Sequence, residues 1–308
     1  VFEKHKKDMG KFMSGSDKKR RFGDRKDARR IRNDELDAVH SLFPFIAPKR
    51  TESEVYLKQQ MDVTNLVDYV KKINEKDTDH KMTYFHAFVA AIAKTVYMRP
   101  LLNRYIMAKK YYERNDIILS FIAKRKFKDT AEEMLVSLKV DMKQDLTEIS
   151  RYIYGDVKKI REAGTNSIDG TLKFLQKLPR FVNGIFVGLM RMLIYFDLYP
   201  SQFQKGDTNY SSVLISNLGS IKCDAPYHHL NNFGTNSVVI CIGQIHKQEV
   251  ITETGDKQIR DVVNFGITID ERIADGFYFA KSIRLLQFIL SNPNLLERPI
   301  GEKIEYED

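Results

Sequence analysis

The sequence predicts a single mixed α/β domain behind a basic arm. Three observations predict it. Apolar residues recur with a period of two in some stretches and of about 3.6 in others, and the two kinds of stretch are interspersed along the chain. Composition is ordinary for a globular protein, with 43% hydrophobic and 30% charged residues in 308, which excludes global disorder and fibrous repeats. The charge is uneven: residues 1–33 hold 13 Lys and Arg against 5 Asp and Glu, so +8 of the net +9 sits there.

Residues 1–34 therefore read as a basic flexible arm, and residues 35–308 as the folded domain. Order is expected near Leu36, where Leu36, Val39, Leu42 and Phe43 follow helical spacing up to a turn bounded by Pro44 and Pro48. Val55, Leu57 and Met61 alternate as a strand, and Thr64 is placed to cap a helix carrying Leu66, Val67 and Val70. Thr83 caps a second helix with Phe85, Phe88, Val89, Ile92 and Val96 on its buried stripe. Strands are expected at 105–107, 117–123 and 134–140, the last with a clean half-buried alternation, followed by a helix through Leu146, Ile149, Ile153, Val157 and Ile160. After Gly164 and Gly170 a long helical region runs toward Pro200. Strands at 212–216, 238–243 and 262–270 and a helix over 275–290 complete the pattern.

The stretch 181–198 is largely apolar, but Asn183, Arg191 and Asp197 interrupt it, and it is at the short limit for a membrane span. A buried or pocket-covering helix is the expectation, with peripheral membrane contact as the alternative. The arm has the charge to meet an anionic membrane surface. A folded body of about +1 gives no reason to expect nucleic acid as a partner. Two cysteines, Cys223 and Cys241, allow neither a disulfide framework nor a cysteine zinc cage, and with no leader they fit a reducing cytoplasm.

There is no Gly-x-Gly-x-x-Gly, Gly-Lys-Ser/Thr, His-Glu-x-x-His or Gly-x-Ser-x-Gly pattern, which argues against common nucleotide, zinc and serine-hydrolase chemistries. The informative segment is Ile267-Thr268-Ile269-Asp270-Glu271-Arg272-Ile273-Ala274-Asp275-Gly276. It compresses a strand end, a charged turn and a helix start into ten residues. Asp275 stands at the N-cap position, and Gly276 permits close packing. Read by itself it is a capped turn.

With its surroundings the segment resembles Asp-His-Arg-x-x-Asp-Gly of the acyltransferase core of 2-oxo acid dehydrogenase complexes, and the related His-His-x-x-x-Asp-Gly of chloramphenicol acetyltransferase. Leu214-Ile215-Ser216-Asn217-Leu218-Gly219 is similar to the family's Ile-Ser-Asn-Leu-Gly strand end. Pro100-Leu101-Leu102-Asn103 resembles its Pro-Glu-Leu-Asn, Met61-Asp62-Val63-Thr64 its first core strand and helix, and Asn292-Pro293-Asn294-Leu295-Leu296 its tail. The resemblance runs from about residue 35 to 298. It implies a chloramphenicol acetyltransferase-like two-layer sandwich, a mixed sheet with helices on one side. It further implies a homotrimer with intersubunit channels, and acyl transfer from a coenzyme A thioester to a small thiol or hydroxyl acceptor. No metal is implied, and no lipoyl domain is recognisable in the chain.

Carried over residue by residue, Ser216 is the oxyanion-stabilising hydroxyl and Asp275 the loop-organising carboxylate, with Arg32 or Arg50 as its basic partner. Glu271 stands where the family's general-base histidine belongs. A free glutamate titrates near ~4.3 and an imidazole near ~6.5, so Glu271 needs burial to act as base, whereas pairing with Arg272 would weaken it. Tyr227-His228-His229 falls in the stretch that lines the acceptor pocket in the acetyltransferase relatives. His228 or His229 is thus the alternative base or ligand, or a plain loop pair. A metal site from His228, His229 and Asp224 has no specific spacing. His86 and His246 read as structural. The rival function is a catalytically inactive homologue, a trimeric ligand-binding or assembly module.

Overall fold

A computed structural model describes residues 23–76, 81–124, 133–163, 175–199, 204, 206–251 and 254–306. Most of the expected arm, residues 1–22, lies outside the described residues, as do Gly164 and Gly170.

In chain order the elements are β1 (Ala28–Arg30), α1 (Ala38–Ile46), β2 (Glu54–Asp62), α2 (Thr64–Lys76), α3 (Tyr84–Met98), β3 (Arg104–Met107), β4 (Lys110–Arg114), β5 (Ile118–Lys124), β6 (Glu133–Lys139), α4 (Leu146–Ala163), α5 (Arg180–Tyr195), β7 (Val213–Asn217), β8 (Val238–Ile242), β9 (His246–Ile251), β10 (Lys257–Asp270) and α6 (Gly276–Ser291). The main sheet runs β2-β10-β8-β7-β5-β6, with β9 paired to the first half of β10. It is mixed: β5, β7 and β8 are mutually parallel neighbours, and the other pairs are antiparallel. A small antiparallel sheet, β1-β4-β3, sits at one end.

The 14-residue strand β10 organises the molecule because its faces differ chemically. Val263, Phe265, Ile267 and Ile269 are buried toward the helices, each contributing about 1.5–3 kcal/mol by leaving water. Asn264, Gly266, Thr268 and Asp270 alternate with them onto the other face. On the helical side α3 is the central element, buried around its whole circumference from His86 to Val96. Its small Ala87, Ala90, Ala91 and Ala93 let α2, α4 and α6 approach. Thr83 caps it as expected, accepting the His86 N–H, and His86 Nδ1 bonds Ser150 Oγ at 2.7 Å. Asn103 is fully buried, accepts the Ser212 hydroxyl at 2.5 Å and donates to the Asp116 carbonyl at 3.2 Å. It braces the start of β7 beside β5.

On the opposite face, β10 and β8 are covered by chain rather than helix. An extended strap, residues 222–236, lies along β10 with a constant offset of forty: Asp224 on Asn264, Pro226 on Gly266, His228 on Thr268. A Cβ on Gly266 would overlap the Pro226 carbonyl oxygen, so only glycine admits the strap. The strap's Leu230 packs with Val239 and Cys241 in a small second core.

Three expectations change. Order begins before Leu36: β1 pairs β4, and Ala28 and Ile31 are buried. Its Arg29 is neutralised in place by Glu35 (2.5 Å) and Glu113 (2.9 Å), so a charge run concealed a strand. The helix in the apolar stretch, α5, has no buried residue and does not cover the pocket described below. No described helix is long and apolar enough to cross a membrane. Gly276 is not forced by packing among the described residues, because a Cβ there would meet none of them within 4 Å.

Candidate active site

Glu271 follows β10 directly. Its backbone N–H donates to Ser53 O at 2.9 Å, and its side chain is exposed with no hydrogen-bonding or ionic partner among the described residues. It lines a groove of about 620 Å3 between α1, β2 and α6, with His40, Phe43, Leu57, Asp275 and Phe279 among the walls. Of the two alternatives open for Glu271, pairing with Arg272 is not the one found. Its guanidinium turns inward and grips Asp270 with two bonds, Nε to Oδ1 at 2.8 Å and Nη2 to Oδ2 at 2.7 Å. Two adjacent charged residues thus part, one into the core and one to the groove.

Asp270 is fully buried, and Arg50 approaches it at 3.7 Å. Burial pushes the Arg50 guanidinium down to about 10, with Asp270 opposing and Arg272 and Arg114 adding to the fall. Arg50 is satisfied mostly by carbonyls, those of Asn231 (2.6 Å), Gly234 (3.1 Å) and Ile106 (3.2 Å). It ties the strap to the small sheet. Arg50 is therefore the partner of Asp270 and not of Asp275. Asp275 makes no ion pair among the described residues and acts as the N-cap of α6, accepting the Tyr278 N–H at 2.7 Å.

Ser216 lies near the other end of the sheet. It stands in register with Cys241, and through it with Gly266. At about 3.3 Å per residue and 4.8 Å per strand, five residues along and two strands across put the Ser216 and Glu271 Cα atoms about 19 Å apart. Ser216 also shares the strap face with Leu214 and Cys241, whereas Glu271 opens into a groove on the helical side. One chain does not bring the two together. The close approach that ends the Ser216 segment is tight: a Cβ on Gly219 would overlap the Gly243 carbonyl.

His228 and His229 ride on the strap, exposed, with ring centroids 4.9 Å apart. Each Nδ1 donates to a backbone carbonyl, His228 to His229 O at 2.8 Å and His229 to Leu230 O at 3.0 Å. In the neutral ring this leaves Nε2 as the acceptor. Asp224 is held instead by Asn264 Nδ2 (3.0 Å), and by Lys58 at 3.6 Å. The bond from Asn264, then the Ala225 N–H and Lys58, hold its carboxyl below the usual range.

Sequence reasoning missed His40. In the Glu271 groove it presents an imidazole whose Nδ1 is bonded to Asp37 Oδ2 at 2.6 Å, while Asp37 also caps α1. The spacing Asp37-x-x-His40 was the available signal. It also missed Asp270, whose second cation, Arg50, is far away in sequence.

The family model 2-oxoacid dehydrogenases acyltransferase (catalytic domain) matches residues 46–126 and 200–297. The chain belongs to this family. Members of the acyltransferase family use coenzyme A as substrate. The chain is 22% identical over 250 residues to the lipoamide acyltransferase component of the branched-chain alpha-keto acid dehydrogenase complex of Bacillus subtilis, covering 79% of this chain and 49% of that protein. The chain thus spans about half the length of the curated relative it matches. Among solved structures it shares its fold with a probable dihydrolipoamide acetyltransferase from Listeria monocytogenes (TM-score 0.56, 18% identity, 83% of this chain and 93% of that one). It shares it too with the Azotobacter vinelandii dihydrolipoamide acetyltransferase (0.56, 15%, 83% and 90%) and with a chloramphenicol acetyltransferase (0.50, 12%, 85% and 99%). The expected two-layer acyltransferase sandwich is the fold observed.

Proposed function

We propose that the protein transfers an acyl group from a coenzyme A thioester to a thiol or hydroxyl acceptor, at sites shared between copies in a homotrimer. The observation that carries this reading is the separation of Ser216 from Glu271 in a chain whose family catalyses acyl transfer. A complete site needs the Ser216 face of one copy against the groove of another.

The groove supplies the proton acceptor: Glu271, in the family histidine's place, beside the His40 imidazole oriented by Asp37. The base takes the acceptor's proton, and the acceptor attacks the thioester carbonyl. The Ser216 hydroxyl donates to the tetrahedral oxyanion. The intermediate then collapses, the C–S bond breaks and the coenzyme A thiolate leaves with the proton. His228 and His229, on the Ser216 side, form the wall of the acceptor pocket. The Azotobacter vinelandii relative is known for a serine, a histidine and an asparagine with roles in its catalytic mechanism, which supports the part given to Ser216.

Dihydrolipoamide is the first acceptor to test, followed by small thiols and alcohols, with acetyl-CoA as donor. S216A should lose about 10²-fold or more in kcat, and E271Q or H40Q about 10²-fold or more. H228A and H229A should act mainly on the acceptor KM. Parent-level kcat in both E271Q and H40Q would move the base to the strap histidines. The exposed, unpartnered Glu271 carboxylate favours a second reading, a trimeric binding module. Calorimetric coenzyme A binding with no turnover on any acceptor would establish it.

A further inference from the structure

The helix α5 exposes an apolar stripe that no other described residue covers. Phe181, Ile185, Leu189, Met192, Tyr195 and Phe196 fall on one side at helical spacing and are 48–71% exposed. Cβ atoms at Gly184 and Gly188 would meet nothing within 4 Å. The helix touches the body from its other side, through Ile194 against the cluster of Ala28, Tyr105, Met107 and Tyr112. Patches of this kind on a protein surface mark an interaction site.

Charge identifies the occupant. Over 175–199 the ionisable cations are Lys177, Arg180 and Arg191, none with an ion-pair partner among the described residues. The one acid, Asp197, is turned to the body by Arg25 at 2.7 Å. Arg25 also donates to Tyr199 O at 3.0 Å. Arg25 thus stands beside the C-terminal end of the stripe, and the 22 residues that open the sequence hold 8 Lys and Arg against 3 Asp and Glu. An apolar face flanked by cations, in a chain whose opening sequence is basic, is complementary to an anionic lipid surface. Sixteen residues make a helix about 24 Å long, too short for a hydrocarbon core of about 30 Å. It fits the interface plane.

We propose that α5 docks in the plane of an anionic membrane, with Phe181, Ile185, Leu189 and Met192 inserted and the N-terminal basic segment adding electrostatic attraction. The full chain should pellet with phosphatidylcholine–phosphatidylglycerol vesicles and much less with phosphatidylcholine alone. I185E/M192E should lower that partition about tenfold or more. K18E/K19E/R20E/R21E should remove mainly the salt-sensitive part. The chain has no tryptophan, so the introduced indole of I185W is a unique reporter. Its emission should shift to the blue and be quenched by brominated lipid. The altered side chains are exposed, and parent-like circular dichroism and Tm verify the fold. Wild-type protein left in the supernatant, or I185E/M192E pelleting like the parent, would overturn the proposal. So would pelleting without quenching in I185W, which would leave binding to the basic segment alone. If the parent ignores vesicles and I185E/M192E changes the light-scattering mass, the stripe is a contact between copies and the proposal is wrong.

Discussion

Gly266 on β10 and Pro226 on the strap touch backbone to backbone, at a distance that leaves no room for a methyl group. The strap is held on either side of that contact by Asn264 with Asp224 and by the Thr268 hydroxyl, which donates to the His228 carbonyl. The position of both strap histidines therefore depends on a side chain that is missing. Gly266→Ala is expected to cost about 2–3 kcal/mol, read as a lower urea midpoint. A parent-like midpoint would show that the strap slides freely over the sheet.

The two aspartates of the signature segment should behave differently. Asp270 is fully buried between Arg272 and Arg50. Asp270→Asn leaves uncompensated buried charge and should cost about 3–5 kcal/mol. Asp275→Ala removes only a helix cap, at about 1 kcal/mol. Chemical denaturation of both variants measures the order, and an equal loss would refute the assignment of Asp270 as the buried anchor.

Thiol chemistry should divide the two cysteines. Cys223 is exposed, whereas burial pushes the Cys241 thiol up to about 11. Iodoacetamide should add one group to the native protein and two in urea, read by mass. Rapid double alkylation of native protein would mean that the strap opens readily.

Lys94 gives a pH dependence with a definite sign. It is fully buried, donates from Nζ to Pro299 O at 2.7 Å, and burial lowers it to about 8, with Glu302 opposing and Arg298 adding. Between about pH 8 and 10.5 the unfolded chain holds this proton and the native state has released it, so this group's contribution rises with pH. Measured against Lys94→Met, the parent should gain roughly 1–3 kcal/mol over that window. A flat difference would show an ordinary lysine.

The alternation of Val55, Leu57 and Met61 and of residues 135–140 made strands legible, and the Thr83 cap fixed a helix. What failed is instructive. β1 and β4 are short and rich in arginine and lysine, and the acids that pair with Arg29 and Lys110 lie outside their own strands' runs, so local charge concealed them. β9 and the first half of β10 are polar on both faces and largely exposed, so no apolar period exists there to read. The apolar run around α5 suggested burial because composition does not say which side of a helix meets the body. Ser216 and Glu271 were legible as candidates, but their separation follows from strand register, a long-range property. Asp270 was read as the strand end, yet Arg272 grips it in the interior and Arg50, distant in sequence, adds a second buried cation. His40 was hidden in a helix start whose cap served two purposes.

The pairing of β2 with β10 aligns Glu54 with Asp270 and Asp62 with Val262, joining positions some two hundred residues apart. On the ribosome, the first long strand to emerge waits for one of the last before it has a neighbour. Until then its edge is bare and its inward side chains are uncovered. Such late closure makes folding slow and exposes nascent chains to sticking. Truncation anywhere before β10 therefore releases a product without its central seam, one that the quality-control machinery of the cell would have to shield or destroy.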